Sequence, residues 1–163
     1  MQTRPDRDRV WYATEALLAS MSSESAAHPR GRVNLDLHDW ADPYQRMLHA
    51  IQPGSYVQPH RHRDPGKSES FVALAGEIAF FVFEEDGALS DARRIGPRCE
   101  SKLVDIRPGV WHSLAALVPG TILFEGKNGP YDPRTDKEFA PWAPAEGDPA
   151  AKDYLAGLLR RLP

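Results

Sequence analysis

Gly54-Ser55-Tyr56-Val57-Gln58-Pro59-His60-Arg61-His62, followed by Glu69 and then Gly76, is the stretch on which the reading of this chain turns. On a strand, residues two apart face the same side, so His60 and His62 point into one cavity. The Asp64-Pro65-Gly66 loop is long enough for the chain to reverse and bring the Glu69 carboxylate back toward the imidazoles. Downstream, His112 follows a Pro108-Gly109 turn and opens another strand. Three imidazoles and one carboxylate suit one divalent transition metal, with Fe, Zn, Mn, Ni and Co all compatible, and leave about two positions open on a six-coordinate ion. The bare His-x-His pair is only suggestive, because composition alone produces one roughly 0.2 times in a chain like this. Its setting among glycine turns and short strands gives it weight.

That setting runs from Arg46 to Phe124, where short apolar runs alternate with turn signals every eight to twelve residues, the texture of a sandwich or barrel. Strands are expected at Arg46–Ile51, Tyr56–His60, Ser70–Ala75, Ile78–Glu84, Ser101–Ile106, His112–Ala116 and Thr121–Lys127. Pro53-Gly54, Gly76, Asp86-Gly87 and Pro119-Gly120 punctuate them. Residues 1–44 read as an N-terminal extension that packs on the barrel. Thr14 caps a short helix through Met21, Ser22 to Gly31 breaks it, and Asp36 to Pro43 is loop. Residues 45–127 form the barrel. Residues 128–163 form a proline- and aromatic-rich arm, then a helix entered through Asp148-Pro149 with Leu155, Leu158, Leu159 and Leu162 at helical spacing.

Composition bounds the rest. The chain has 163 residues, 41% hydrophobic and 26% charged, enough for one globular domain with a real core. Fifteen prolines, about 9% against a usual level near 5%, argue for turns and against a helical bundle. A formal charge of -3 lacks the basic footprint of a nucleic-acid binder, so no nucleic-acid partner is expected. The single cysteine, Cys99, excludes an internal disulfide and a multi-cysteine zinc site and fits a cytoplasmic location. The N-terminus is charged where a signal peptide is apolar, and Phe71 to Phe83, interrupted by Gly76 and Glu77, is far short of a membrane span. No membrane partner is expected.

Several further side chains are candidates for a ligand site. Tyr56 and Gln58 share parity with His60 and would line the same cavity; core packing for Tyr56 and solvent for Gln58 are the plainer alternatives. Glu125 and Lys127 share one strand face. If it is the inner face, Glu125 serves as a general base and Lys127 as an anion anchor; otherwise they are an exposed pair. Arg32, Asn34 and His38 can close over the barrel mouth, arginine being suited to bidentate oxyanions, and Tyr131 borders the pocket. His28 and His49 read as structural.

The pattern resembles the cupin superfamily, whose first motif runs Gly-x5-His-x-His, then Glu, then Gly after six residues. Gly54, His60, His62, Glu69 and Gly76 fit it, with a longer His-to-Glu gap than usual. In the second motif, Pro-x-Gly-x2-His-x3-Asn, Gly109 and His112 fit. Its proline is displaced to Pro108 and Ala116 replaces the asparagine. More narrowly, the chain resembles WbuC-type cupin-fold metalloproteins, associated with bacterial surface-polysaccharide gene clusters. Carrying that likeness are Pro29 to Leu35, Tyr56 to His62, Trp111-His112, Phe124 to Tyr131 and Phe139 to Pro144.

The resemblance implies a mainly β fold, a cupin-like double-stranded β-helix (jelly-roll barrel) with short N- and C-terminal helices, one bound metal and a homodimer. With His60, His62, Glu69 and His112 as metal ligands, the expected function is a metal-dependent reaction on a small polar molecule. The family association makes that molecule a sugar or sugar-derived acid. An isomerase or epimerase, with Glu125 or Tyr56 moving protons and Arg32, Asn34, Gln58, Lys127 and Tyr131 holding the ligand, and an iron dioxygenase both stay open. The rival is a non-catalytic, metal-dependent sugar-binding or regulatory module.

Overall fold

The computed structural model describes residues 2–3, 10–63 and 66–163. Part of the expected Asp64-Pro65-Gly66 loop therefore lies outside the described residues. Among the described residues, eleven strands form two sheets. The first holds, in spatial order, β1 (Gln2–Thr3), β2 (Arg32–Asp36), β3 (Tyr44–Ile51), β10 (Thr121–Asn128), β5 (Glu69–Ala75) and β8 (Leu103–Ile106). The second holds β11 (Glu138–Phe139), β4 (His60–Arg61), β9 (Trp111–Ala116), β6 (Ile78–Phe83) and β7 (Leu89–Ile95). Apart from β1, parallel to β2, the paired strands are antiparallel. The result is a jelly-roll sandwich with two helices, α1 (Glu15–Ala27) and α2 (Ala151–Leu159), as the sequence led one to expect.

Strand parity sorts the side chains into three layers. Ile51, Phe71, Ala73 and Leu123 from the first sheet meet Ile78, Phe80, Leu114 and Ala116 from the second and fill the interior. The alternate residues Ala79, Phe81, Phe83, Trp111 and Ala115 face outward and are covered by Leu155 and Leu158 of α2 and by Ala140 of the C-terminal arm. Leu48, Ala50 and Ile122 face the other way and are covered by Met21 of α1. Each sheet is thus buried on both faces, which is why β9 and β10 are almost continuously buried rather than alternating. Among the described residues no helix is long and apolar enough to cross a membrane.

The structure departs from sequence expectation at several elements. Helix α1 is capped by Thr14, whose Oγ1 accepts from the Leu17 amide at 3.3 Å, but it continues past Met21 to Ala27. Buried Ser25 accepts from the Gln52 side chain at 2.7 Å, docking a serine-rich turn that has no strong helical preference of its own. Strand β2 falls in the segment read as an extension and pairs with β3 over five residues. Strand β7, sequence LSDARRI, is a charged edge strand without apolar alternation; charge there discourages edge-to-edge pairing. Helix α2 starts two residues beyond Pro149; Asp148 instead accepts from the Ala150 amide at 2.8 Å.

Gly76 joins β5 to β6 with φ +72°, and a Cβ there would stand 2.4 Å from Thr121 Oγ1 and 2.6 Å from Thr121 Cα. Positive φ and backbone overlap combine, so Gly76→Ala is expected to cost at least about 2 kcal/mol. Urea denaturation of the variant beside the parent protein measures it.

Candidate metal centre

The same parity that builds the interior aims chemistry into one end of it. Glu69 shares a face of β5 with Phe71 and Ala73, and His112 shares a face of β9 with Leu114 and Ala116. His60 pairs across to His112 through the β4–β9 ladder, with ring centroids 4.5 Å apart, and His62 follows just beyond β4. All four side chains are buried, and their ligand atoms lie within 4.8 Å of one another: a group that could hold a metal ion.

Hydrogen bonding fixes how these imidazoles present themselves. The Nδ1–H of His60 donates to the Gln58 carbonyl and that of His112 to the Val110 carbonyl, each at 2.9 Å, and His62 Nδ1–H donates to the Asp136 carbonyl. A carbonyl only accepts, so each ring carries its proton on Nδ1 when neutral and leaves the Nε2 lone pair free. His112 Nε2 lies 3.0 Å from Glu69 Oε2. His62 Nε2 lies 3.5 Å from the same oxygen, outside hydrogen-bond geometry, and is a buried nitrogen with no hydrogen-bond partner. Lone pairs converging on a carboxylate, one nitrogen orphaned, is an arrangement that a cation satisfies, so the donor set fits a divalent transition metal.

Burial holds the His60 imidazole well below its usual value near 6.5. Burial pushes the Glu69 carboxyl up, but the hydrogen bonds and positive charge that the facing His112 and His62 offer when they carry a second proton, on Nε2, override it and hold the group well below the usual carboxylate range. Both groups have depressed folded-state values. Their contribution to stability is therefore present above the unfolded values and lost as pH falls, through His60 below about 6.5 and then through Glu69 below about 4.3. Melting of the metal-free protein should be flat near pH 8 and fall as pH drops from 6.5 to 4, and His60→Asn should flatten the upper limb of that fall. A melting temperature constant from pH 7 to 5 would contradict this.

Beside the four lies a polar wall. His49 of β3 accompanies Ile51 inward, and Glu125 and Lys127 of β10 accompany Leu123. His49 Nε2 stands 2.6 Å from Glu125 Oε2, and His49 Nδ1–H donates to Asn34 Oδ1 at 2.8 Å. One proton lies between His49 and Glu125, whichever atom carries it. Lys127 Nζ is 3.6 Å from Glu125 Oε1 and donates to Asp136 Oδ2 at 3.0 Å, while Lys67 Nζ donates to Asp136 Oδ1 at 3.3 Å. Lys67, Lys127 and Asp136 are all buried.

A cavity of about 170 Å³ opens onto His60, Glu69 and His112. Arg32, Asn34, His49, Gln58 and Glu125 also line it, together with the exposed Lys137 and Phe139. Of the residues expected at a ligand site, Arg32, Asn34, Gln58 and Glu125 therefore border the cavity. Tyr56 does not. Residues 55–59 form no ladder, so strand parity does not govern them, and the Tyr56 ring turns to the α2 side, 6.1 Å from Tyr154, with its hydroxyl donating to the Pro144 carbonyl at 2.9 Å. Tyr131 packs edge-on against Trp40, 5.2 Å between centroids, and Lys127 lies behind Glu125; neither is among the lining residues. Sequence reasoning passed over His49, legible from its parity with Ile51. It also missed Asp136, for which no local signal exists.

A family model described as "Domain of unknown function (DUF6016)" matches residues 13–95, just over half of the chain. The chain belongs to this family. No curated protein matches the DUF6016 chain. Solved structures share its fold at low identity. A CapF structure with the inhibitor 3-isopropenyl-tropolone aligns at 20% identity and TM-score 0.55, over 65% of this chain and 30% of that one. The capsular polysaccharide assembling protein CapF from Staphylococcus aureus aligns at 19% identity and TM-score 0.52, over 65% and 31%. KdgF from Halomonas sp. aligns at 15% identity and TM-score 0.51, over 64% and 84%. The DUF6016 chain spans less than a third of the CapF chains. These neighbours are cupin-fold proteins, and the DUF6016 chain has the cupin fold.

Proposed function

We propose that this protein is a metal-dependent cupin enzyme of the WbuC type, acting on a sugar or sugar-derived acid by proton transfer. The observation that carries the reading is the convergence of three Nε2 lone pairs and the Glu69 carboxylate on a cavity whose lining also holds the hydrogen-bonded His49–Glu125 pair. The CapF neighbour, described as a capsular polysaccharide assembling protein, supports the substrate class as an analogy of fold.

His60, His62, His112 and Glu69 would hold the ion, which when bound supplies Lewis-acid polarisation of a ligand oxygen, or redox capacity if it is iron. Glu125 takes a proton from a carbon of the ligand on Oε1, while the proton already held in the 2.6 Å contact keeps Oε2 bonded to His49, and the abstracted proton then exchanges with water or returns to the carbon. Asn34 keeps His49 turned toward Glu125, and Lys127 stabilises the Glu125 carboxylate from behind. Gln58 offers an amide to ligand hydroxyls, and Phe139 shields the mouth from water.

The test is solvent exchange. Protein loaded separately with zinc, manganese, cobalt, nickel or iron is incubated with hexoses and hexuronates in deuterated water, and carbon-bound deuterium is read by NMR. Exchange in the parent and its loss by about 100-fold or more in Glu125→Gln, with metal retained, is the expected result. Oxygen consumption without exchange would point to the dioxygenase reading, and ligand binding without turnover under any metal to a binding module.

A further inference from the structure

The cavity mouth carries more positive charge than the proton-transfer reading uses. Arg32 Nη2 meets Glu146 Oε2 at 2.5 Å, and Arg30 Nε meets Glu146 Oε1 at 2.6 Å, so one carboxylate bridges two guanidinium groups. Lys137 also lines the mouth and has no ion pair among the described residues. Two guanidinium groups therefore share one carboxylate, and Lys137 adds a third cation to the cavity lining.

The two sides of this bridge are built differently. Arg32 is only 11% exposed at its side chain, and its Nη1 donates to the Tyr56 carbonyl at 2.8 Å and to Ser55 Oγ at 3.0 Å. Those bonds lock the guanidinium and leave Nη2 to meet Glu146, which lines the same cavity. Burial pulls its pKa down, a cost that a facing carboxylate offsets. Glu146 is 38% exposed, lies in the irregular segment between β11 and α2, and precedes Gly147 at φ +91°. The receptor is fixed and the carboxylate filling it sits on the exposed side.

We propose that Arg32, with Arg30 and Lys137, is a receptor for the carboxylate of a small hydroxy acid, and that Glu146 occupies it as an internal surrogate which the ligand displaces. The class follows from the occupant: the carboxylate is held through one oxygen by Arg32 Nη2 and at two points by Arg30, Nε at 2.6 Å and Nη2 at 3.3 Å, and the neighbouring amides of Asn34 and Gln58 suit hydroxyl groups. The cavity, about 170 Å³, is smaller than the roughly 300–1,000 Å³ of pockets for drug-sized ligands and suits a molecule of monosaccharide size. This inference rests on the reading of that cavity as the ligand site and deepens it by naming the recognised group.

The test is calorimetric titration of the full chain, metal-free and zinc-loaded, with D-glucuronate, D-glucose and D-glucose 6-phosphate. Glucuronate should bind at least about tenfold more tightly than neutral glucose and more tightly than the phosphate. Arg32→Met should weaken glucuronate about tenfold or more, and Glu146→Gln, which removes the surrogate, should tighten it by a similar factor. Arg32 also holds Ser55 and Tyr56, so Glu146→Gln, which leaves those contacts intact, decides the matter if Arg32→Met fails to fold. Equal binding of glucuronate and glucose, no binding of glucuronate, stronger binding of the phosphate, or no gain in Glu146→Gln would overturn the proposal. Zinc content of the same samples judges the metal reading separately. Arg32-dependent glucuronate binding without zinc uptake would sink the metal centre and leave the receptor standing.

Discussion

Glu69→Gln is expected to lower zinc affinity by about 100-fold or more, measured by competition against a chromophoric chelator at neutral pH. Replacing groups that merely orient metal ligands costs about 10–100-fold, and Glu69 is a direct donor and the only anion among the four. The substitution keeps the side chain's shape. It removes the charge on which His112, at 3.0 Å, and His62, at 3.5 Å, converge. The fold should survive, because Phe71 and Ala73 on the same face of β5 remain packed in the interior. An affinity within threefold of the parent would mean that the carboxylate belongs to an ordinary buried hydrogen-bond network.

The second large effect concerns Asp136. Its carboxylate stands between the ammonium groups of Lys67 and Lys127, at 3.3 and 3.0 Å, and all three side chains are buried. Burial pushes the Asp136 carboxyl up, but Lys127 outweighs it and holds the group below its usual value. Asp136→Ala takes from buried Lys67 its carboxylate and leaves buried Lys127 only Glu125, at 3.6 Å, and breaking a buried pair in this way costs about 3–5 kcal/mol. For a chain of this length that is a fall in melting temperature of roughly 6–20 °C. The same residue's carbonyl accepts from His62 Nδ1, so metal affinity should fall as well. Lys127→Met combined with Asp136→Asn removes one cation together with the anion and should recover part of the stability. If the double variant is as unstable as Asp136→Ala, lost packing rather than stranded charge is the cause.

The metal candidates were legible because their signal is local. His60 and His62 stand two apart, and Glu69 and His112 lie on strands whose apolar parity is plain. Parity failed at Tyr56, where the backbone around Pro59 forms no ladder and the side chain is free to turn to the other core. It failed also at β7, an edge strand polar on both faces, and at the end of α1, where Gln52, remote in sequence, holds a serine-rich turn in the helix. Asp136 could not be read at all: its meaning comes from Lys67, 69 residues away in the chain, and from Lys127 on the strand before the arm. Charge networks assembled by tertiary contact leave no trace in spacing. The Arg30–Glu146–Arg32 bridge is of the same kind, with its carboxylate more than a hundred residues from its guanidinium partners.

The account depends on a cation at the meeting point of His60, His62, Glu69 and His112. Elemental analysis of protein purified without a histidine tag and dialysed at pH 7.5 tests this most directly, paired with anomalous diffraction from its crystals. The account predicts about one equivalent of a divalent transition metal per chain, with a single anomalous peak among those four side chains. A protein that neither retains metal nor takes up zinc, manganese, iron, cobalt or nickel on incubation would contradict it.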